Sequence, residues 1–476
     1  MLFLLLHLAL QVVLVVRVII RPHRDPAARA AWIVVVLAVP VIGMLAYLLV
    51  GETRMGRARA HRHHRVAHTL AALERAPGFG AADAAGAVSA DVAPLFALTR
   101  SIGDFAPLAG NRGDLMPEGD PTINAIVADI DDADEHVHVG FYIWLPDGNG
   151  TKVAEALIRA ARRGVTCRAL VDDVGSHALV RSALWARMGE AGVRLACALP
   201  VGNPLLRVLI GRIDLRNHRK IVVVDNRVTY CGSQNCADPA FLPKARFAPW
   251  VDAMIRFEGP VARQNNCIFA SDWMEEVDED LTPLLAAPLT VVEGGFPAAA
   301  VATGPTGAHA AMPEIFATLI YAAQRELVVS TPYYIPVGAV QAAFCSAARR
   351  GVDVTLILPA RNDDFAVGAA SRSYYADLLA AGVTIYEFTP GLLHTKSLTL
   401  DGRVTLIGSA NMDRRSFELN YENNILFEDP ALTDAVRRRQ AGYVARARRV
   451  EAGEVAGWSF ARRLWNNALA IVGPVL

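Results

Sequence analysis

One pattern limits what this chain can become more than any other. His218-Arg219-Lys220 is followed by four residues and Asp225, and Gly232-Ser233-Gln234-Asn235 begins seven residues after that aspartate. His394-Thr395-Lys396, Asp401 and Gly408-Ser409-Ala410-Asn411 repeat it with identical spacing. A single His-x-Lys is an ordinary strand-end pair on a solvated face. Two copies with the same trailing Gly-Ser-x-Asn, one in each half, point to a duplicated fold that brings both to one place.

The flanking sequence is duplicated too. In the first half a strand is expected at 137–143, a helix at 153–163 stopped by Gly164, a strand at 166–171, and a helix around 179–191 ending near Gly192. The strand carrying His218 follows. The second half repeats the order: strand 327–330, helix 339–350 stopped by Gly351, strand 354–358, helix 373–381 stopped by Gly382, then the strand carrying His394. Ala-Ala-Arg-Arg-Gly-Val occurs at both 160–165 and 347–352. Gly164 and Gly351 are 187 residues apart but the histidines 176, so the first half holds 11 extra residues, mostly at 201–213. Alternating helices and strands with glycine stops indicate layered α/β architecture. Duplication implies two such units about an approximate two-fold axis.

Side chains alternate faces along a strand, so His218 and Lys220 point one way and Arg219 the other, and likewise His394 and Lys396 against Thr395. A site of two imidazoles, two ammonium groups, two amides and two hydroxyls suits a phosphodiester. One imidazole attacks phosphorus, and the other protonates the leaving oxygen and then deprotonates the incoming nucleophile. The lysines offset the phosphate charge, and Ser233, Asn235, Ser409 and Asn411 are candidate phosphate donors. No HExxH or carboxylate cluster suggests a metal, and no cofactor is expected. Asp225 and Asp401 complete the candidate catalytic set with His218, Lys220, His394 and Lys396, although pinning the turn after each strand suits them better.

The 476 residues suffice for two cores. With 47 Lys+Arg against 47 Asp+Glu there is no global basic field to suggest nucleic acid. Cys167, Cys197, Cys231, Cys236, Cys267 and Cys345 form no CxxC pair or zinc spacing and read as reduced, mostly buried thiols.

Apolar excess collects at the N-terminus. Residues 2–20 are broken only by His7, Gln11 and Arg17, and 31–50 are apolar throughout with Pro40 at the middle. Each run approaches the ~20 residues of a membrane-crossing helix, Arg17 can snorkel to the headgroups, and a proline kink is tolerated there. No positive charge precedes the first run and no small-x-small site follows it, unlike a signal peptide. Arg21, Arg24 and Arg29 between the runs are outnumbered by Arg54, Arg57, Arg59, Arg62 and Arg65 after them, which places the large C-terminal part in the cytoplasm. With so short a loop, a re-entrant hairpin is the alternative.

These residues resemble the phospholipase D superfamily, whose signature is a duplicated HxKx4D with Gly-Ser-x-Asn. The likeness runs from about residue 121 to 443. Arg-Asn-His-Arg-Lys at 216–220, Thr-Pro-Tyr-Tyr-Ile-Pro at 331–336, Ser-Ala-Asn-Met-Asp-Arg-Arg-Ser-Phe-Glu-Leu-Asn-Tyr-Glu at 409–422, the hairpin and the Pro-Val-Leu ending resemble the bacterial cardiolipin synthases within it. One departure is Asn226, where the family commonly has the glycine seen at Gly402; Asn tolerates a left-handed turn. The resemblance implies that His218 is the nucleophile and His394 the general acid. It also implies that Glu422 orients His218 and Asp252 orients His394. It implies an α/β fold of two phospholipase D-like repeats, mixed sheets flanked by helices, packed about a pseudo-two-fold axis behind an N-terminal hydrophobic helical hairpin. The layout expected is a membrane hairpin at 1–50, a basic then Ala/Gly-rich linker at 51–118, repeats at 119–300 and 301–450, and a C-terminal amphipathic helix at 451–476. The reaction implied is phosphatidyl transfer between two phosphatidylglycerol molecules, giving cardiolipin and glycerol, at a bacterial inner membrane. A hydrolase, a transferase using another alcohol or phospholipid, and a membrane scaffold with a degenerate site are the alternatives; a nuclease would want a basic groove and no anchor.

Smaller signals stay two-sided. The 204–213 stretch either dips into the headgroup layer or packs as a loop. Trp458, Ala461, Leu464, Trp465, Ala468, Leu469 and Val472 form a helical stripe opposite Arg462, Arg463, Asn466 and Asn467, for a membrane surface or for docking. Asp172-Asp173 and Asp363-Asp364 end equivalent strands, as loop acids or as contacts for glycerol hydroxyls. The Arg/His run at 54–68 either holds anionic lipid or sets topology.

Overall fold

The computed structural model describes residues 1–21, 26–52, 56–74, 88–202, 212, 214–307 and 311–471. The chain divides into two compact units, one of residues 1–60 with 201–215 and one of nearly all the rest.

In the smaller unit, α1 (Leu2–Ile20) is followed by α2 (Pro26–Ala38) and α3 (Pro40–Val50). The second apolar run is thus two short helices and not one kinked span. Pro40 has no N–H to donate and Val39 leaves the helical region (φ −121°, ψ 76°), so a new helix starts there. Among the described residues no helix is long and apolar enough to cross a membrane. Leu14, Val18, Val36, Met44 and Tyr47 form a small core. The polar residues that interrupt the runs are used inside it: Gln11 Nε2 donates to Val36 O at 3.1 Å. Arg17, expected at the headgroups, lies 2.6 Å from the buried Glu52, which Arg21 and the Tyr47 hydroxyl also engage. The outer faces remain apolar and exposed. The 204–213 stretch falls outside the described residues except for Arg212.

The larger unit is built on one sixteen-stranded sheet. Sixteen of the unit's eighteen strands form it, and β8 with β14 make a separate two-stranded sheet. The first half of the unit contributes β1 (Leu108–Leu115), β2 (His136–Phe141), β3 (Thr166–Asp172), β4 (Arg194–Ala198), β5 (Arg216–Asn217), β6 (Lys220–Val224), β7 (Val228–Gly232), β8 (Trp250–Val251) and β9 (Met254–Glu258). The second contributes β10 (Phe296–Thr303), β11 (Glu326–Ser330), β12 (Asp353–Pro359), β13 (Thr384–Phe388), β14 (Leu392–Leu393), β15 (Ser397–Leu400), β16 (Val404–Gly408), β17 (Asn420–Glu428) and β18 (Ala447–Arg449). From the central antiparallel pair β1/β10 the order outward is β9-β7-β6-β2-β3-β4 on one side and β17-β16-β15-β11-β12-β13 on the other. The two halves therefore repeat one topology about an approximate two-fold axis at that pair. Inner strands such as β2, β6, β7, β15 and β16 are buried along their whole length.

Several boundaries differ from those expected. The 51–118 segment holds the helices Arg57–Glu74 and Ala93–Gly103 and also β1 at the sheet's centre. β1 was hidden because Leu-Ala-Gly-Asn-Arg-Gly-Asp-Leu lacks alternation; its partners on both sides hold it. The helix around 179–191 is two, His177–Val180 and Ala183–Glu190, the second capped by Ser182. A helix Phe365–Arg372, capped by Asp364, precedes the one at Tyr375–Ala381. In the C-terminal helix Phe460–Ile471, Asn466 is buried and Leu464 and Trp465 are exposed, while Leu469 and Ala470 pack against Ile335, Val367 and Ala370. All six cysteines are free, five of them buried.

Asp225 and Asp401 are taken out of the catalytic set by this geometry. Asp225 accepts the backbone N–H groups of Asp134, Glu135 and His136 at 3.0, 2.9 and 2.8 Å. Asp401 accepts those of Gln324, Arg325 and Glu326 at 3.1, 2.8 and 3.0 Å. Both sit in the left-handed region (φ 51° and 53°), as do Asn226 (52°) and Gly402 (73°) after them. They tie the turn after β6 or β15 to the start of β2 or β11. Asp225→Ala or Asp401→Ala should cost about 2–3 kcal/mol in denaturant unfolding, since hydrogen bonds to a charged group are lost. Turnover per folded molecule should stay within about tenfold of the parent's; a thousandfold loss would return them to the chemistry.

Candidate active site

Each motif histidine is positioned by the other half of the molecule. β5 runs parallel to the start of β17, and His218 N–H then donates to Tyr421 O at 2.9 Å. β14 runs parallel to β8, and His394 N–H donates to Val251 O at 2.8 Å. The next residue on each receiving strand is a carboxylate. His218 Nδ1 lies 2.9 Å from Glu422 Oε2, and His394 Nδ1 lies 2.6 Å from Asp252 Oδ1. An ionised carboxylate accepts only, so each Nδ1 carries the hydrogen and Nε2 is left to the site.

The lysines keep the same symmetry. Lys220 Nζ donates to His218 O at 2.6 Å and Lys396 Nζ to His394 O at 2.7 Å. Asn235 and Asn411 have no partner for Nδ2 among the described residues, and Asn411 Oδ1 is buried without one. Ser233 and Ser409 are a correction to the expected phosphate donors. Both are fully buried, and their hydroxyls are spent on carboxylates: Ser233 on Asp252 at 2.7 Å and Ser409 on Glu422. The motif glycines explain the approach, because a Cβ on Gly232 would stand 2.2 Å from Ala253 O and one on Gly408 2.3 Å from Asn423 O. Only glycine lets the strand bearing the carboxylate pass so close.

Electrostatics bind the two motifs into one site. Burial pushes the His218 imidazole down to about 4, with Lys220 and Lys396 adding to the fall and Glu422 opposing it. Burial likewise lowers His394, again with both lysines adding and Asp252 opposing. Lys220 is pushed down to about 7 by burial and then by Lys396, and Lys396 to about 8 by burial against the pull of Asp252 and Glu422. Burial pushes both carboxyls up, yet the adjacent imidazoles, lysines and serine hydroxyls outweigh it and hold Asp252 and Glu422 below the usual range. The resting site therefore has neutral imidazoles, ionised carboxylates and lysines close to losing their protons. An arriving phosphate anion reverses the lysine effect and favours protonated imidazole.

Several participants were not anticipated. Tyr142 stands edge-on to His218 (4.9 Å between centroids) and 5.4 Å from Lys220 Nζ, while Trp250 packs against His394 at 4.7 Å. Ser416 Oγ donates a further bond to Glu422 at 2.7 Å. Arg219, on the strand's far face, pairs with Asp272 and donates from Nε to Glu422 O at 3.2 Å; Thr395, its counterpart, donates to Val251 O at 3.1 Å. Both clamp the backbone that carries a carboxylate. The motif spacing held one signal for them, since the residue between His and Lys faces inward in each copy. The paired acids diverge: Asp172 accepts Asn217 N–H at 3.0 Å and holds the approach to His218, whereas Asp363 binds the Tyr333 hydroxyl at 2.7 Å and Lys244 at 2.5 Å. Among the described residues no group of three or more His, Cys, Asp or Glu is arranged to hold a metal.

The family described as Cardiolipin synthase, PLD-like domain, matches residues 126–273 and 316–441, and one described as Phospholipase_D-nuclease N-terminal matches 9–52. Cardiolipin synthase A of Edwardsiella ictaluri is 38% identical over 441 residues, 90% of this chain and 89% of that one. The chain belongs to the cardiolipin synthase family. Cardiolipin synthase A of Erwinia tasmaniensis is 37% identical over 97% of this chain and 95% of its own length. Among solved structures, phosphatidylserine synthase of Haemophilus influenzae has the same fold (TM-score 0.59, 12% identity), covering 80% of this chain and all of that one.

Glu422→Gln and Asp252→Asn test the crossed pairs. Each should lower kcat about 10²–10⁴-fold, as expected when an imidazole loses its orienting charge, with KM changed only a few-fold. A loss confined to KM would reduce the carboxylates to packing.

Proposed function

We propose that the chain transfers a phosphatidyl group between two phosphatidylglycerol molecules, giving cardiolipin and glycerol. The observation that carries this is the crossed pair of His–carboxylate contacts, which leaves both Nε2 atoms without a carboxylate partner while each histidine stands within electrostatic reach of both lysines. The lipid is supported by relatives named cardiolipin synthase A across nearly the whole chain.

In this reading His218 Nε2 attacks phosphorus. Its strongly depressed proton affinity keeps the lone pair free at neutral pH. Lys220, Lys396, Asn235 and Asn411 take up the charge on the non-bridging oxygens. His394, protonated on Nε2 once the phosphate anion is bound, gives that proton to the leaving oxygen as the bond to glycerol breaks, leaving a phosphatidyl-histidine. His394 then removes the proton from a hydroxyl of a second phosphatidylglycerol, whose oxygen attacks phosphorus. The P–N bond breaks, cardiolipin leaves and both histidines return to the state they held with the first lipid bound. Glu422 stabilises the charge that develops on His218, and Asp252 that on His394. The exposed apolar faces of α1 and α3 support attachment to a lipid bilayer. The arginine excess after the hairpin and the free thiols favour a cytoplasmic catalytic unit at the bacterial inner membrane.

Labelled phosphatidylglycerol in mixed micelles should yield cardiolipin plus glycerol, and His218→Ala or His394→Ala should each remove at least about 10³ of that rate. Phosphatidic acid alone would make the chain a hydrolase. A phosphatidyl ester with a good leaving group should label His218 in His394→Ala and label nothing in His218→Ala; the reverse pattern would exchange the two roles. Activity should survive EDTA, and a requirement for added divalent metal would overturn the purely histidine-based reading.

A further inference from the structure

The outer side of the second repeat carries a cleft that the transfer chemistry does not use. It has a volume of about 370 Å³ and lies among the helices Tyr375–Ala381, Ala452–Ala456 and Phe460–Ile471, with Leu379 and Val455 among its apolar wall residues. Its polar lining is rich in donors, beside the Ser373 hydroxyl and the amide oxygens of Asn466 and Asn467, which can accept. Trp458 and Asn466 both line it, are 9% and 4% exposed, and hold Nε1 and Nδ2 as buried atoms without a hydrogen-bond partner among the described residues. Arg463 adds a guanidinium from the cleft face of the last helix. Arg462 lies 4.1 Å over the Trp458 ring and brings a second positive charge to the same wall. Arg372, also in the lining, is committed to Gly368 O, Ala360 O and Glu387, so it stiffens the wall.

A buried indole N–H and a buried amide N–H without acceptors are costly to leave unpaired. Two such donors beside free guanidinium groups call for an acceptor-rich anion. The helix that supplies Arg463 and Asn466 also exposes Phe460, Leu464 and Ile471, at 74%, 58% and 79%, about a quarter-turn round from the cleft face. An anion that reached this cleft from an apolar surface would bring its own hydrocarbon to that row. We infer that the cleft binds the phosphate ester of an anionic phospholipid, at a second site separate from the paired histidines. Phosphate oxygens accept from Trp458 Nε1, Asn466 Nδ2 and Arg463, the glycerol backbone lies against Leu379 and Val455, and the acyl chains follow Phe460 and Leu464. The burial of Asn466 then has a reason, since its amide is turned inward to meet a headgroup.

Hydrogen–deuterium exchange tests this on the full-length chain in neutral detergent, carrying His218→Ala so that lipid is not consumed. Added phosphatidylglycerol should slow exchange across 452–471. Diacylglycerol, which lacks phosphate, and glycerol 3-phosphate, which lacks chains, should not do so at the same concentration. Arg463→Glu and Asn466→Leu should each raise the half-saturating lipid concentration about tenfold. Arg463 is exposed, so its variant keeps the test decisive if the buried substitution fails to fold. Absence of protection, or an unchanged midpoint in Arg463→Glu, overturns the site. Protection by diacylglycerol overturns the anion, and protection by glycerol 3-phosphate alone overturns the lipid. Exchange reads binding alone, so its outcome is independent of whether phosphatidyl transfer is the reaction.

Discussion

Each histidine is held by a carboxylate that the other repeat supplies, Glu422 for His218 and Asp252 for His394. Neither repeat can assemble a competent imidazole alone, because the group that fixes its tautomer lies some 150–200 residues away along the chain. That dependence accounts for the sheet's form. β5 of the first repeat pairs with β17 of the second, and β8 with β14, beside the β1/β10 pair through which the two halves of the sheet join. Glycines at 232 and 408 let the carboxylate-bearing strands close in, and the serines after them donate to the carboxylates so brought near.

Burying two lysines and two histidines together is expensive, and two carboxylates and their donors offset only part of the cost. The remainder shows as lysines whose hold on their protons is loosened toward neutrality and as imidazoles kept neutral by burial. Such a site is complementary to an anion it does not yet contain. A phosphodiester supplies the missing negative charge, restores the lysines and raises the imidazoles toward the state in which one can donate a proton. Binding and activation are then one electrostatic event.

Part of this was legible beforehand. Period two pairs His218 with Lys220 and His394 with Lys396, although His218 lies in the gap between β5 and β6 and the whole His394–Lys396 triplet between β14 and β15. The duplicated helices and strands follow from their glycine stops. Asp252 and Glu422 came only from family likeness, since nothing in local periodicity links residues so far apart. Ser233 and Ser409 were misassigned because sequence shows a hydroxyl near the motif but not which acceptor is nearest. β1 escaped notice for a related reason: its stability comes from β9 and β10, not from its own composition. The apolar stripe of the last helix was legible, but not what covers it, because periodicity names a stripe without saying whether protein or lipid lies on it.

The two halves are not equivalent where it matters most. Glutamate faces one imidazole and aspartate the other; Tyr142 flanks His218 while Trp250 flanks His394. Glu422 collects hydrogens from His218, Ser409, Ser416 and Asn420, whereas Asp252 has His394 and Ser233. A carboxylate that shares its charge among four donors pulls less on any one proton. His218 is thus held with little tendency to accept a proton, as a nucleophile requires. Asp252 concentrates its charge on the shorter contact, 2.6 Å against 2.9 Å, which favours a protonated His394 once phosphate is present. In the proposed reading, the division of labour between two copies of one motif is supported by what surrounds each carboxylate, since among the described residues Ser416 and Asn420 have no counterpart at Asp252.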